Sequence, residues 1–150
     1  MAVFRIERFT SLPPADAWRR VTDWDRHGAM VPLTSVLVPP GGRTEVGTVF
    51  VARTGMGPLT FDDPMEVVRW TPPEAGRAGF CRLEKRGRTV RGWASIEVLP
   101  TRAGSHVVWV EDIRLFLPGR WMDPLLVAAG RRMFGRVLDA LLEAPERAPR

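Results

Sequence analysis

The stretch that decides the fold lies at residues 123–143, with the sequence DPLLVAAGRRMFGRVLDALLE. Asp123 is a strong helix N-cap and Pro124 suits the first helical position, so a helix about 30 Å long is predicted from Pro124 to Glu143. The apolar residues that share one stripe of this helix are Leu126, Ala129, Met133, Phe134, Val137, Leu138 and Leu141. Gly130 and Gly135 each cost about 1 kcal/mol inside a helix, and a close approach to the sheet would explain them.

Upstream of this helix the chain is rich in short β-type segments. The predicted strands are residues 3–10, Ser35–Val38, Gly47–Arg53, Met65–Trp70, Gly79–Lys85, Val90–Leu99 and Val107–Leu117. Tight Gly- and Pro-rich turns make neighbouring strands antiparallel. Two short helices are predicted after the first strand: one begins at Pro13-Pro14, and the other covers Asp25–Met30 and ends before Pro32.

This order of elements predicts a hollow α+β domain. A single long amphipathic helix can cover only the concave face of a strongly curved sheet, which leaves an internal cavity. Within Val90–Leu99 the face that carries Gly92 and Ala94 is apolar, and these small side chains leave space at its centre. The opposite face carries Arg91, Trp93, Ser95 and Glu97. We therefore expect a cavity of about 300–1,000 Å³ between sheet and helix, the usual range for ligand pockets.

The chain resembles the START-like superfamily (SRPBCC), which includes pollen-allergen-type lipid binders and polyketide cyclases/dehydrases. The resemblance covers nearly all of residues 3–143 and is carried by Phe4–Phe9 before Pro13-Pro14-Ala15-Asp16-Ala17-Trp18, by Asp23-Trp24 leading to Val31-Pro32, by Val46–Phe50, by Glu66–Pro73 and by the closing helix. It implies the helix-grip fold: a curved antiparallel sheet of about seven strands wrapped on the long C-terminal helix. We expect one ligand-binding domain over residues 1–150, with 143–150 as a frayed tail.

Composition excludes several other classes of protein. The chain has 150 residues, a net charge of +5 and a pI near 11, which invites a nucleic-acid interpretation. However, its arginines are dispersed among acids, and a polyanion-binding surface is typically a clustered stripe, so no nucleic-acid partner is predicted. Apolar runs stay short of the roughly 18 residues that span a membrane, so no membrane span is expected.

Cysteine content and the N-terminal residues indicate the compartment. The single cysteine, Cys81, excludes an internal disulfide framework and is expected to be a small buried strand residue. Arg5, Glu7 and Arg8 stand where a signal peptide needs its apolar stretch, so a cytoplasmic location is expected. His27 and His106 lack metal-ligand spacing, so no metal site and no cofactor is predicted.

Three side chains are candidates for acid–base chemistry. His27 lies in the second short helix, near the cavity mouth of this fold, and has an ordinary pKa suited to proton transfer; the alternative is a solvent-edge or capping histidine beside Arg26. Alternation sends one member of each of the pairs Asp62-Asp63 and Glu111-Asp112 inward, and at least one of Asp63 and Glu111 is expected to face the cavity. An apolar cavity would raise the pKa of a carboxyl group there. A bulge at Pro64 would shift the register of its strand and turn Asp62 inward instead of Asp63.

The alternative for each inward carboxylate is a structural ion pair, with Arg69 or Arg114 as the expected partner. Other side chains are candidates for the wall of a ligand pocket: Trp24, Met30, Phe61, Met65, Trp93, Trp109, Met122, Leu126 and Met133. Core filling is the alternative for each of them, and Trp93 and Trp109 either line the pocket or cover the outer sheet face.

Three functions remain compatible with these residues. The first is binding of a hydrophobic small molecule, such as a lipid, polyketide or aromatic metabolite, by a monomer or homodimer. The second, implied by the resemblance, is a polyketide cyclase or dehydratase that holds its substrate in a bent pose and uses cavity acid–base residues. The third is a protein-interaction module, which would need an exposed apolar patch rather than a cavity.

Overall fold

A computed structural model describes residues 2–116 and 123–143 of the chain. In chain order the elements are β1 (Ala2–Thr10), α1 (Pro14–Val21), α2 (Trp24–Met30), β2 (Thr34–Leu37), β3 (Val49–Met56), β4 (Leu59–Thr71), β5 (Gly79–Arg86), β6 (Val90–Thr101), β7 (Gly104–Leu115) and α3 (Asp123–Glu143). The predicted α+β class and the predicted order of elements are therefore confirmed.

Within the described residues, seven strands form one antiparallel sheet in the order β1-β7-β6-β5-β4-β3-β2. Strands β2 to β7 follow one another as hairpins, whereas β1 lies at the far edge beside β7. The chain must cross from one edge of the sheet to the other after β1, and α1 and α2 make this crossing. Helix α3 packs on β1, α1 and α2, so it closes the same face of the sheet. This arrangement is the helix-grip fold.

Local sequence accounts for the ends of both short helices. Helix α1 begins at Pro14, where the missing N–H of proline removes no helical hydrogen bond. The Asp23 carboxylate accepts a hydrogen bond from the backbone N–H of Arg26 at 3.2 Å and so caps α2. Helix α2 ends at Met30, because Val31 precedes Pro32 and takes an extended conformation.

Strand β4 is longer than the predicted segment Met65–Trp70. The turn at Gly57-Pro58 is tight enough to pair Met56 with Leu59, so the hairpin of β3 and β4 extends to that turn. Pro64 causes no shift of register, because it lies one residue beyond the last pair with β5, Met65↔Lys85, and removes no hydrogen bond to that strand. The register shift of β4 occurs instead between Val67 and Arg69.

The space between the sheet and the helices is filled at one end and hollow at the other. At the filled end, α3 and the sheet bury a continuous aliphatic core that includes Ile96, Val98, Val107, Leu138 and Leu141. A Cβ atom at Gly130 would lie 2.6 Å from the ring of Phe4, which accounts for this glycine as a close approach of α3 to β1. No helix in the described part of the chain is long and apolar enough to cross a membrane.

Candidate functional site

A cavity of about 390 Å³ lies between the inner face of the sheet and helices α2 and α3. Its volume falls within the predicted range for ligand pockets. Most of the lining side chains are aliphatic or aromatic: Trp24, Val31, Pro32, Val36, Phe50, Ala52, Phe61, Met65, Leu83, Val90, Ala94, Trp109, Ile113, Leu115, Met133 and Phe134. Among the residues that the structure describes, six polar ones also line it: His27, Thr34, Thr54, Asp63, Lys85 and Glu111. The cavity is thus an apolar container with a small set of polar groups.

Three of these polar side chains form a buried charged cluster. The Lys85 ammonium lies 3.3 Å from Asp63 Oδ2 and 3.1 Å from Glu111 Oε1. The side chains of Asp63, Lys85 and Glu111 are 10%, 7% and 2% exposed. The indole N–H of Trp109 donates a 3.1 Å hydrogen bond to Glu111 Oε2. We call these three residues the Asp63–Lys85–Glu111 cluster.

Strand alternation and two small residues bring this cluster together. Asp63, Lys85 and Glu111 all occupy inward positions, on β4, β5 and β7 respectively, and β6 separates the last two. Lys85 pairs with Gly92 of β6, and Glu111 pairs with Ala94 of the same strand. Since these β6 residues project at most a methyl group, the lysine side chain reaches the glutamate across them.

Gly92 also has a backbone reason. It has a φ of +129°, and a Cβ atom there would lie 2.0 Å from the carbonyl oxygen of Asp112. A side chain at this position would therefore collide with β7. The small side chain of Ala94, by contrast, directly borders the cavity.

The charges in the cluster do not balance. Two carboxylates face one ammonium, and Asp63 Oδ1 is buried without a hydrogen-bond partner among the described residues. Burial raises the pKa of Asp63 above its ordinary value, against the opposing pull of the Lys85 charge. Burial also opposes the charge of Lys85, but Glu111 and Asp63 together outweigh it and raise the pKa of that lysine. Burial therefore favours the protonated form of the Asp63 carboxyl group, while the two neighbouring carboxylates favour the charged form of Lys85.

His27 lies against the cavity rather than beside Arg26 at the surface. Its ring contacts Trp24 and Trp109, with centroid distances of 5.4 Å and 5.1 Å. Its Nε2 lies 2.6 Å from the carbonyl oxygen of Val21, and since a carbonyl only accepts, Nε2 carries the proton. Burial lowers the pKa of His27 to about 4, so the imidazole is neutral near pH 7. His27 therefore ties α2 to the end of α1 and brings no charge to the cavity.

The other side chains proposed as pocket lining divide into three groups. Trp24, Phe61, Met65, Trp109 and Met133 line the cavity. Met30 instead borders a shallow depression between α2 and the start of β2, and Trp93 lies on the outer face, where the guanidinium of Arg82 covers its ring at 4.3 Å. Met122 lies outside the described residues, as does the side chain of Leu126.

The ion pairs around the inward carboxylates differ from the expected ones. Lys85 is the partner of both carboxylates, and the prediction of Arg69 or Arg114 is wrong: the guanidinium of Arg69 lies over the Phe80 ring, and Arg114 pairs with Asp112. Lys85 is the member of the buried cluster that was not predicted from the sequence. Two signals indicate it: it is the sole lysine among 22 lysine and arginine residues, and it lies two residues after Leu83 on the same inward face of β5.

Two further groups bear on the chemistry of the protein. Cys81 is fully buried on β5, and burial raises the pKa of its thiol to about 12, so it remains protonated near neutral pH. In the described part of the chain, His, Cys, Asp and Glu side chains form no group of three or more arranged to hold a metal ion.

Solved structures of similar shape support the fold. A protein from Chromobacterium violaceum, CV1439, superimposes with a TM-score of 0.68 at 16% identity, covering 97% of this chain and 100% of that chain. The protein TTHA0849 from Thermus thermophilus gives a TM-score of 0.62 at 19% identity, covering 94% and 92%. A Thalictrum flavum norcoclaurine synthase point mutant, solved with a transition state analogue, gives 0.60 at 15% identity, covering 93% and 92%. At these identities the similarity establishes the shared fold.

Comparison of the sequence with protein families identifies the family as well as the fold. No curated protein sequence matches this chain. A family model described as polyketide cyclase / dehydrase and lipid transport matches residues 1–146. Since this match spans nearly the whole chain and the structure has the START-like helix-grip architecture, the protein belongs to the polyketide cyclase / dehydrase and lipid transport family.

Proposed function

We propose that this protein binds a predominantly apolar small molecule, such as a lipid, polyketide or aromatic metabolite, in the cavity between sheet and α3. The observation that carries the proposal is the hollow of about 390 Å³ with an almost continuous apolar wall. Burying apolar ligand surface there would contribute about 25 cal/mol per Å² removed from water. The Asp63–Lys85–Glu111 cluster would then meet the polar end of the ligand. A cavity of this kind favours ligand binding over the protein-interaction module.

Binding of a neutral fluorescent probe tests this proposal. N-phenyl-1-naphthylamine should bind the purified protein and gain fluorescence, and native mass spectrometry of the same preparation should detect any co-purifying ligand. Ala94→Leu places a larger side chain against the cavity and should weaken probe binding about tenfold. Ser95→Leu is the matched control, because the neighbouring residue occupies the opposite alternation position on β6 and does not line the cavity.

Comparison of the two variants distinguishes probe binding in the cavity from binding elsewhere on the protein. Probe binding that Ala94→Leu weakens and Ser95→Leu leaves intact would place the ligand in the cavity. Absence of probe binding to a folded protein, or equal effects of both substitutions, would contradict the proposal. Circular dichroism of each variant establishes that it is folded.

A polyketide cyclase or dehydratase is the second candidate, and one observation favours it. Asp63 has a raised pKa and lies 3.3 Å from a charged lysine inside the cavity, so a carboxyl group able to exchange protons adjoins a cation in the cavity wall. In this candidate function Asp63 exchanges protons, Lys85 stabilises developing negative charge, and Glu111 holds Lys85. Incubation with a linear poly-β-ketone, followed by mass spectrometry for loss of water, tests it. Asp63→Asn should abolish protein-dependent product formation while leaving probe binding intact.

A further inference from the structure

We propose that the cavity selects apolar ligands whose polar group donates a hydrogen bond, such as an alcohol or phenol, and discriminates against carboxylates. This inference rests on the proposed binding function and adds the chemical class of the ligand. It follows from which hydrogen-bond donors and acceptors along the cavity already have partners. The relevant observation is that the side-chain donors of the described lining residues have partners within the protein, whereas a buried carboxylate oxygen has none among those residues.

The indole and imidazole donors of the cavity wall are directed at the protein itself. Trp24 Nε1 donates to the hydroxyl of Thr44 at 3.0 Å, and Trp109 Nε1 donates to Glu111 at 3.1 Å. His27 Nε2 donates to the carbonyl of Val21 at 2.6 Å. None of these groups retains an N–H for a ligand, because each ring has a single proton on nitrogen in this state.

The two cavity threonines are engaged in the same way. The Thr34 hydroxyl donates to the carbonyl oxygen of Pro32 at 3.2 Å and lies 2.8 Å from the Thr54 hydroxyl. Either hydroxyl can donate the bond between the two threonines; when the Thr34 proton is directed at Pro32, Thr54 is the donor. In that arrangement both hydroxyl protons are used within the protein, and the remaining lone pairs accept.

The Lys85 ammonium is also surrounded by acceptors. Its neighbours are Asp63 Oδ2 at 3.3 Å, Glu111 Oε1 at 3.1 Å and the sulfur of Met65 at 3.7 Å. Three acceptors thus face the three protons of the ammonium group. A ligand that brings only an acceptor, such as an ether oxygen, must displace one of these contacts before it can bind polar groups here.

Asp63 Oδ1 is the complementary feature. It belongs to a side chain nine-tenths buried that lines the cavity, and it has no hydrogen-bond partner among the described residues. A Cβ atom at Gly87 would lie 3.2 Å from this oxygen, so the turn between β5 and β6 packs close to it, and a ligand donor must approach Asp63 from the cavity. A ligand O–H or N–H would satisfy an acceptor that is otherwise costly to bury. A ligand carboxylate would instead add a third negative charge to a site that holds one positive charge.

Competition between closely matched ligands tests the inference on the unaltered protein. Decanol and its isomer methyl nonyl ether have the same atoms, but only the alcohol donates a hydrogen bond; decanoate replaces the hydroxyl with an anion. Each competes with bound N-phenyl-1-naphthylamine at about pH 7, where decanoate is ionised. Decanol should displace the probe at a concentration about tenfold or more below that needed for the ether or decanoate.

Two adjacent aspartates provide matched variants. Asp63→Asn removes the inward charge and should bring decanoate within about threefold of decanol. Asp62→Asn makes the same change of net charge at the outward position, where Asp62 is paired with Arg53 at 2.7 Å, and should leave the discrimination unchanged. Probe binding by both variants shows that their cavities remain formed.

The results separate this inference from the binding proposal beneath it. If the ether competes as well as decanol, or decanoate competes best, the ligand class proposed here is overturned while cavity binding stands. Equal loss of discrimination in both aspartate variants would also overturn it, because net charge rather than Asp63 would then be responsible. Failure of the probe to bind the unaltered protein would instead overturn the proposed function itself.

Discussion

Lys85 Nζ and Glu111 Oε1 lie 3.1 Å apart although their strands, β5 and β7, are not neighbours in the sheet. The pair spans β6 at Gly92 and Ala94, the small residues that also leave space in the cavity. The two small residues of β6 therefore have two consequences: they leave space for the cavity, and they allow the Lys85–Glu111 ion pair to form along the cavity wall. This ion pair determines the electrostatics that any ligand meets.

Removing the cation of the cluster should destabilise the protein. Lys85→Met leaves two buried carboxylates without their positive partner, and we expect the free energy of unfolding at about pH 7 to fall by about 3–5 kcal/mol. The loss should diminish towards pH 4, because protonation removes the uncompensated charges. Urea denaturation measures it. Arg86→Met is the control, since that arginine forms an exposed pair with Glu66 and its loss should cost less than about 1 kcal/mol. Equal effects of both substitutions would contradict a buried ionic role for Lys85.

The two carboxylates of the cluster should respond differently to neutralisation. The folded-state pKa of Asp63 is raised, so its contribution to stability is present below its unfolded pKa and is lost as pH rises through the folded value. Asp63→Asn should accordingly leave stability at about pH 7 unchanged or increase it. Glu111→Gln removes an ionic partner of Lys85 that also accepts the Trp109 N–H, and should cost about 2 kcal/mol. Chemical denaturation measures the free energy of unfolding of both variants. A larger loss of stability in Asp63→Asn than in Glu111→Gln would contradict these different roles of the two carboxylates.

His27 should make the fold sensitive to mild acid. Its pKa is lowered from 6.5 to about 4 in the folded state, so its contribution to the free energy of unfolding is complete above pH 6.5 and is lost as pH falls towards 4. This difference in pKa corresponds to about 3 kcal/mol of folding stability. His27→Gln should flatten the stability profile over this interval, whereas His106→Gln, on the pair with Glu7, should retain it. Titration of the His27 ring by NMR checks the cause, and an ordinary pKa would contradict it.

Two glycines of α3 should respond in opposite directions to the same substitution. Alanine gains about 1 kcal/mol over glycine in a helix interior, but at Gly130 the new methyl group would press against the rigid Phe4 ring at 2.6 Å. We expect Gly130→Ala to destabilise by about 1 kcal/mol net. At Gly135 the nearest atom is the flexible end of Arg8 at 3.2 Å, and Gly135→Ala should stabilise by up to about 1 kcal/mol. Thermal melts compare the two, and a stabilising Gly130→Ala would show that the helix is not held against β1.

Nucleic acids should bind weakly despite the net charge of +5. Many described arginines are paired with acids across the surface, including Arg5, Arg8, Arg53, Arg82, Arg86 and Arg114. The remaining positive field is diffuse, so association with DNA or RNA should show no sequence preference and should collapse with modest salt. A filter-binding titration at two salt concentrations measures this. Tight binding at physiological salt would contradict it.

Local sequence determined the elements and much of their orientation. Pro14, Asp23 and the Val31-Pro32 step act on their own neighbours, so the helix boundaries follow from short-range sterics and hydrogen bonds. Strand alternation predicted that at least one of Asp63 and Glu111 would face the cavity, because side chains point to opposite faces with a period of two, and both of them line it. The same alternation opposes Trp93 to Ala94, and Trp93 does lie outside, so including it in the pocket went against the pattern of its own strand.

Only the tertiary structure decided which groups meet. The ion pairs of Lys85 with Asp63 and Glu111 depend on the register of strands β4 to β7 and on the small residues of β6. These features involve residues far from Lys85 in the chain, so local sequence does not determine them. The neutral state of His27 depends on burial beneath Trp24 and Trp109, which brings α2 against β7. Sequence periodicity specifies the face that a side chain occupies, whereas its charge state depends on distances between residues far apart in the chain. The chemistry of this cavity is therefore a property of the assembled sheet.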